Sequence, residues 1–277
     1  MIISIASGKG GTGKTTMAVN LAMALKYAQL IDCDVEEPNA HIFLKPSINH
    51  IEDVNVLVPK VNYQFCTFCG KCSDFCKFNA LAVMEKQVLI FPELCHNCGG
   101  CRVVCPENAI SEYEISIGKI RKGQSRAIDF LDGYLDIARP SPVPIIKKLK
   151  SLVSVQNTVI IDSPPGTSCS MVESIEGSDY CLLVTEPTPF GLNDLKLAID
   201  VVKKLNIPFG VIINQSDIGD QAVKQFCDSE GIEVVMEVPY SRKVAQAYSR
   251  GRAMIEELPE YKARFQSLYD HIKDRIK

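Results

Sequence analysis

The chain opens with IISIA (Ile2–Ala6), a short β-branched run, which passes straight into SGKGGTGKTT (residues 7–16) and then an apolar, helix-like stretch. A glycine-rich loop held between a strand and a helix turns its backbone N–H groups toward one point. The helix N-terminus adds partial positive charge there, and the result is a cradle for phosphate. The context of strand before and helix after separates such a loop from a chance glycine string. Gly8, Gly10, Gly11, Thr12, Gly13 and Thr16 form the cradle. Lys14 is placed to pair with the β- and γ-phosphates, and the Thr15 hydroxyl to bind Mg²⁺.

The rest of the chain repeats the strand–helix rhythm. LIDCD (Leu30–Asp34), TVIID (Thr158–Asp162), YCLLVT (Tyr180–Thr185), FGVIIN (Phe209–Asn214) and IEVVMEV (Ile232–Val238) are near-continuous apolar runs. Helical segments lie at Lys14 to about Tyr27, Leu192–Leu205 and Asp220–Glu230. This pattern predicts an α/β fold with a mostly parallel sheet and helices on both faces. Asp162 closes a strand where a phosphate-loop protein holds the carboxylate on the Mg²⁺ side. AIDFLDGYLDIA (127–138) reads as a strand pair turning at Asp132–Gly133, and RPSPVP (139–144) as a connection into a helix.

Between residues 59 and 112 the rhythm stops. Cys66, Cys69, Cys72 and Cys76 recur as Cys95, Cys98, Cys101 and Cys105, a uniform offset of 29 residues, and FNAL (78–81) is echoed by ENAI (107–110). The chain has 12 cysteines and no apolar stretch near the ~20 residues of a membrane span, and its opening residues are not expected to act as a secretory leader. Thiols clustered in this way imply metal or redox chemistry in a reducing cytoplasm. A net charge of −3 argues against a nucleic-acid binder. Zinc is the rival metal, since CxxC pairs form zinc knuckles. Each copy here reads C-x2-C-x2-C-x3-C, the bacterial ferredoxin run for [4Fe–4S] clusters, whose fourth cysteine ligates the other cluster. Cys66, Cys69, Cys72 and Cys105 are therefore assigned to one cluster, and Cys95, Cys98, Cys101 and Cys76 to the second. The domain division is 1–58 with 113–277 for the phosphate-loop part, and 59–112 for a small inserted α+β unit. The first run is followed by Lys77 where the second has Pro106; Lys77 is expected to face solvent.

Lys9 is a second lysine in the loop, directly after Gly8. With DCDVEEPN (32–39) and DSPPGT (162–167), it makes the chain resemble the deviant-Walker-A ATPases, the class of MinD, ParA and the nitrogenase iron protein. The cysteine repeat, SPPGTSC and TEPTPFGLNDL (185–195) narrow the resemblance to MinD-superfamily ATPases with an inserted two-cluster ferredoxin domain. The resemblance implies a homodimer, or a heterodimer with a related ATPase, that sandwiches ATP. Lys9 then reaches the partner's nucleotide, Asp34 orients or activates the attacking water, and Gly166 senses the γ-phosphate. Asn214 contacts adenine and Pro239 borders the ring. NQSD (214–217) also half-matches the guanine motif NKxD, with Gln215 in place of lysine, so ATP rests on the family. Asp32 is expected only to support the site.

Three functions follow from the resemblance. One is an ATP-gated electron-transfer protein that serves a redox partner protein. The second is a positioning or scaffolding ATPase with redox-sensing or structural clusters. The third is an iron–sulfur cluster carrier. Cys169 occupies the offset at which the nitrogenase iron protein has a ligand, but it is expected to be a buried small residue. Cys33, Cys181 and Cys227 read as core. The C-terminal helix puts Phe265, Leu268, Tyr269, Ile272 and Ile276 on one face, which is expected to pack on the protein rather than on a membrane.

Overall fold

The computed structural model describes residues 1–276. Its strands are β1 (Ile2–Ala6), β2 (Ala28–Asp32), β3 (Ser47–Val61), β4 (Leu81–Met84), β5 (Gln87–Ile90), β6 (Ile110–Ser125), β7 (Ile128–Leu135), β8 (Thr158–Asp162), β9 (Tyr180–Thr185), β10 (Phe209–Asn214) and β11 (Val234–Val238). Among the described residues, nine of these form one sheet in the order β11-β10-β9-β1-β8-β2-β7-β6-β3, and β4 pairs with β5 apart from it. Pairings from β11 through β7 are parallel; β7–β6 and β6–β3 are antiparallel.

The parallel strands are largely apolar because both their faces are covered. Tyr180, Leu182 and Val184 of β9 enter one core while Cys181 and Leu183 enter the other, the period-two alternation of a strand. The first face carries α1 (Lys14–Ala24), α2 (Ala40–Leu44), α9 (Arg242–Ser249), α10 (Met254–Glu257) and α11 (Glu260–Ile276). The second carries α5 (Val143–Lys150), α6 (Cys169–Ile175), α7 (Pro189–Lys204) and α8 (Ala222–Ser229). Two short helices, α3 (Lys71–Phe75) and α4 (Gly100–Val103), belong to the cysteine-bearing segment. Tyr261, Phe265, Leu268 and Ile272 of α11 are buried in the first core, so the apolar face of the C-terminal helix is occupied by the protein itself. No described helix is long and apolar enough to cross a membrane.

Three expectations are corrected. Residues 128–135 are one continuous strand, β7, with no turn at Asp132–Gly133. Asp132 is wholly buried but neutralised by Arg121 of β6, whose Nε donates to Oδ1 at 2.9 Å. Gly133 is in mid-strand because α5 lies against it: a Cβ there would sit 2.6 Å from Ile145 and 2.9 Å from Val35. Strand β2 ends at Asp32, so Asp34 sits in the loop beyond it. Cys169 is exposed at the start of α6, whereas Cys33, Cys181 and Cys227 are buried.

The sequence reading had no counterpart for the β3–β6 hairpin. Its strands pair from Ser47↔Gln124 to Val61↔Ile110 along the sheet edge. The cysteine repeat lies between their far ends.

Candidate functional site

Strand β1 delivers the loop and α1 receives it. Gly13 stands at the junction with φ 94°, and a Cβ there would meet Asn214 Nδ2 at 2.6 Å. This is a left-handed position that glycine alone fills without strain. Gly8 is required for a different reason: a Cβ would lie 2.0 Å from the Asp194 carbonyl oxygen. A cavity opens over the loop. It gathers Gly10, Gly11, Gly13, Lys14, Thr15 and Thr16 with Asp34, Asn214 and Pro239 from three other segments. Gly8, Lys9, Thr12, Asp162 and Gly166 stand outside that lining. Asn214 Nδ2 donates to the Thr12 carbonyl at 3.0 Å, tying the end of β10 to the loop. The Gly166 N–H donates to the Ser7 carbonyl at 3.0 Å, so in this conformation that amide is engaged within the protein.

Under the loop the sheet carries a row of charge. In strand register, Arg121 (β6) lies opposite Asp132 (β7), Asp132 opposite Asp32 (β2), and Asp32 opposite Asp162 (β8). All three aspartates are fully buried. Asp32 accepts from the backbone N–H groups of Asp34, Asn39 and Ala40 at 3.0–3.1 Å, which shapes the loop that presents Asp34. Burial first, then the neighbouring Asp162, holds the Asp32 carboxyl well above the usual range. Burial lifts Asp162 to about 7 against the pull of Thr15 and Lys14. It lifts Asp34 to about 6 against Lys14. Neither Asp162 oxygen has a well-formed hydrogen bond, although the Thr15 hydroxyl faces it. A buried carboxylate without a donor, beside a hydroxyl at the phosphate end of the cavity, fits a hard divalent cation.

The cysteine repeat in the sequence is a repeat in space. Gly70 and Gly99 start α3 and α4 in the left-handed region, at φ 80° and 70°. The Cys76 sulfur accepts from the Ala80 N–H at 3.3 Å, and the Cys105 sulfur from the Ala109 N–H at 3.2 Å. Two cavities result. One is lined by Cys66, Cys69, Cys72 and Cys105, near the tips of β3 and β6 at Val61 and Ile110. The other is lined by Cys76, Cys95, Cys98 and Cys101, with Leu57 and Pro59 of β3 and Glu112 of β6. Burial raises the thiols of Cys72 and Cys95, and pushes Cys101 up to about 11. Asn97 Nδ2 donates to the Leu57 carbonyl at 3.1 Å and Arg102 pairs with Glu112 at 3.0 Å, so the second run is anchored to both hairpin strands. Lys77 is exposed, and His96 stacks on Phe78 with ring centroids 3.7 Å apart.

Comparison with known proteins decides the family. The model of the CobQ/CobB/MinD/ParA nucleotide-binding domain matches residues 3–254. The chain belongs to this family. An uncharacterized protein of Methanocaldococcus jannaschii is 31% identical over 275 residues, spanning 92% of each chain. A protein of Pyrococcus horikoshii named iron–sulfur cluster carrier protein is 24% identical, across 99% of this chain and 86% of its own length. The septum site-determining protein MinD of Pyrococcus horikoshii, solved with Mg-ADP, shares the fold at a TM-score of 0.61 and 20% identity, covering 98% of this chain and 95% of that one.

For a member of the MinD/ParA family, the cavity's outer wall is the part the sequence reading missed. Glu37, Asn39, Ser241, Val244 and Tyr248 line it. Ser241 was legible as a cap, since its side chain accepts from the Val244 N–H at the start of α9. Asp132 was also missed. Its signal was an aspartate embedded in an apolar run, as in LID, FLD and IID.

The raised carboxylates have a consequence for stability. A group whose pKa is higher folded than unfolded favours the folded state fully below its unfolded value, here 3.8, and the advantage is lost as pH rises through its folded value. Stability therefore declines between about pH 4 and pH 7. Asp162→Asn flattens that decline and stabilises the protein at pH 8 by roughly 2–4 kcal/mol. Urea unfolding of both proteins at pH 5 and pH 8 checks this. A variant no more stable than the parent at pH 8 would show that the ionised carboxylate carries no burial cost.

Proposed function

We propose that the protein hydrolyses ATP and that the nucleotide, bound between two subunits, controls electron transfer through two [4Fe–4S] clusters to a redox partner protein. The observation that carries this reading is the pair of cysteine cavities, each lined by three cysteines of one run and the fourth of the other. The thiols ring cavities. That arrangement suits a multi-atom cluster better than a tetrahedral zinc ion. Cys66, Cys69, Cys72 and Cys105 would hold one cluster, and Cys76, Cys95, Cys98 and Cys101 the other. When bound, such clusters supply one-electron storage. The Ala80 and Ala109 N–H groups donate to the sulfurs and favour the thiolate form.

In the nucleotide cavity the glycine-loop amides receive the phosphates, and Lys14 neutralises charge on the β- and γ-oxygens. Thr15 and Asp162 would hold Mg²⁺, which when bound would supply positive charge against the phosphates. Asp34, on its loop shaped by Asp32, orients a water toward the γ-phosphorus and accepts its proton. The P–O bond to ADP breaks as the bond to water forms, giving ADP and phosphate. Asn214 and Pro239 flank the adenine, Gly166 responds to the γ-phosphate after leaving Ser7, and Lys9 reaches the partner's nucleotide.

A second reading is favoured by one observation, that similar proteins across nearly the whole chain are named iron–sulfur cluster carriers. In it the cluster is cargo. One experiment separates the two: redox titration of the loaded protein by electron paramagnetic resonance with and without MgATP, and incubation with an apo-ferredoxin acceptor. Electron transfer predicts retained iron and a midpoint shift on the order of 60 mV, tenfold in the one-electron equilibrium. Unchanged midpoints sink the gating reading, and ATP-dependent loss of iron to the acceptor establishes the carrier.

A further inference from the structure

Lys9 does not project freely from the loop. Its ammonium lies 3.3 Å from Glu186 Oε2, with the two side chains 31% and 18% exposed. The other oxygen of the same carboxylate accepts from Gln215 Nε2 at 3.4 Å. Gln215 lines the nucleotide cavity directly after Asn214, on the side assigned to the base. The backbone at Lys9 is pinned: the Ser7 hydroxyl donates to the Lys9 carbonyl at 2.6 Å, and Gly8 is wedged against Asp194. From this pinned backbone the Lys9 side chain extends to Glu186, which holds its end. Glu186 directly follows β9, which pairs with both β1 and β10, the strands that lead to Lys9 and to Gln215. One carboxylate thus touches the phosphate loop on one side and the base side of the cavity on the other.

We propose that Glu186 is a restraint on Lys9 within its own subunit, read out through Gln215: a purine docking at Asn214–Gln215 draws Gln215 away, loosens Glu186 and frees Lys9 to cross to a second subunit. The proposal rests on the reading in which Lys9 acts on the partner's nucleotide. It adds the gate on that lysine and the group that senses the base. Loss of one Glu186 contact leaves its carboxylate free to turn, and a partly exposed ion pair is weak enough for nucleotide binding to overcome. No bond is made or broken covalently; the restraint exchanges one ion pair for another.

The test is the ATP concentration that half-saturates dimerisation, measured by sedimentation for the full chain, Lys9→Ala and Glu186→Gln. Glu186→Gln keeps the shape and removes the charge, so half-saturation falls about threefold, the scale of a partly exposed pair. Lys9→Ala loses the ATP-dependent dimer. If Lys9→Ala loses the dimer while Glu186→Gln needs as much ATP as the parent or more, the restraint is wrong and the role of Lys9 across the dimer stands. If Lys9→Ala dimerises normally, both fall. A measurement on the unsubstituted protein guards against a Glu186→Gln chain that fails to fold. Lysines are reductively ¹³C-methylated, and the Lys9 resonance is assigned from its loss in Lys9→Arg. ADP and ATP should both move that resonance, while tripolyphosphate, which has no base, should leave it in place. A Lys9 resonance unmoved by ATP, or moved equally by tripolyphosphate, overturns the readout through Gln215.

Discussion

Lys14→Ala is expected to hydrolyse ATP at least about 10²-fold more slowly than the parent protein. Lys14 is only 6% exposed and lines the cavity, so in the proposed role its charge would act on the phosphates with little screening by water. It also serves the protein's own acids, since it lowers the carboxyls of both Asp34 and Asp162 against their burial. Without it both acids rise further. Residual activity should therefore require a higher pH, because Asp34 must be ionised to accept a proton. Arginine should not rescue, as its broad planar fork does not replace a compact ammonium in a buried slot. Phosphate release from pH 6 to pH 9 measures all of this. Hydrolysis within twofold of the parent would remove Lys14 from the mechanism.

The second large effect is on iron. Cys105→Ser should lose roughly half the bound iron, and that half should belong to the set of the first run, Cys66, Cys69 and Cys72. A double-mutant comparison makes the crossing explicit. If Cys66 and Cys105 serve one cluster, the double variant Cys66→Ser, Cys105→Ser loses no more iron than either single variant. If each run keeps its own fourth cysteine, the double variant loses nearly all. Colorimetric iron per chain, after anaerobic reconstitution, distinguishes the two. The segment's own core is small, with Ala80, Leu81, Val88, Cys101 and Ile110 as its buried members. In the proposed two-cluster reading, metal–sulfur bonds would supply much of its order, and the second cluster is expected to survive only while its anchors at Leu57 and Glu112 hold.

Much of the architecture was legible where one physical rule dominated. The β1–loop–α1 unit was visible because glycine spacing and flanking elements are local. The buried strands were visible because two covered faces demand unbroken apolar runs. The crossed cysteine sets were expected from the ferredoxin-type spacing, and in the structure each set lines a cavity of its own. What failed was non-local. Asp132–Gly133 carries strong turn residues, yet Arg121 on another strand neutralises one and α5 requires the other to be small. The hairpin strands mix charged and apolar residues because β3 is the edge strand and β6 from Ile110 to Ile117 pairs with β3 alone, which blurs their periodicity. Gly166 bound to Ser7 and Lys9 bound to Glu186 are conformational choices, and no composition or spacing encodes them.

The hairpin has a further consequence. Val61 and Ile110 face each other as ladder partners, so the cysteine segment enters and leaves the sheet at one place. A tight turn joining the two strands would close the backbone there with little entropic penalty and leave the remaining strand pairing intact. The cysteine segment is thus a cassette, entered and left at one place on the rim of the sheet. Its two seams are the natural points at which a lineage could acquire it, discard it or exchange it for another.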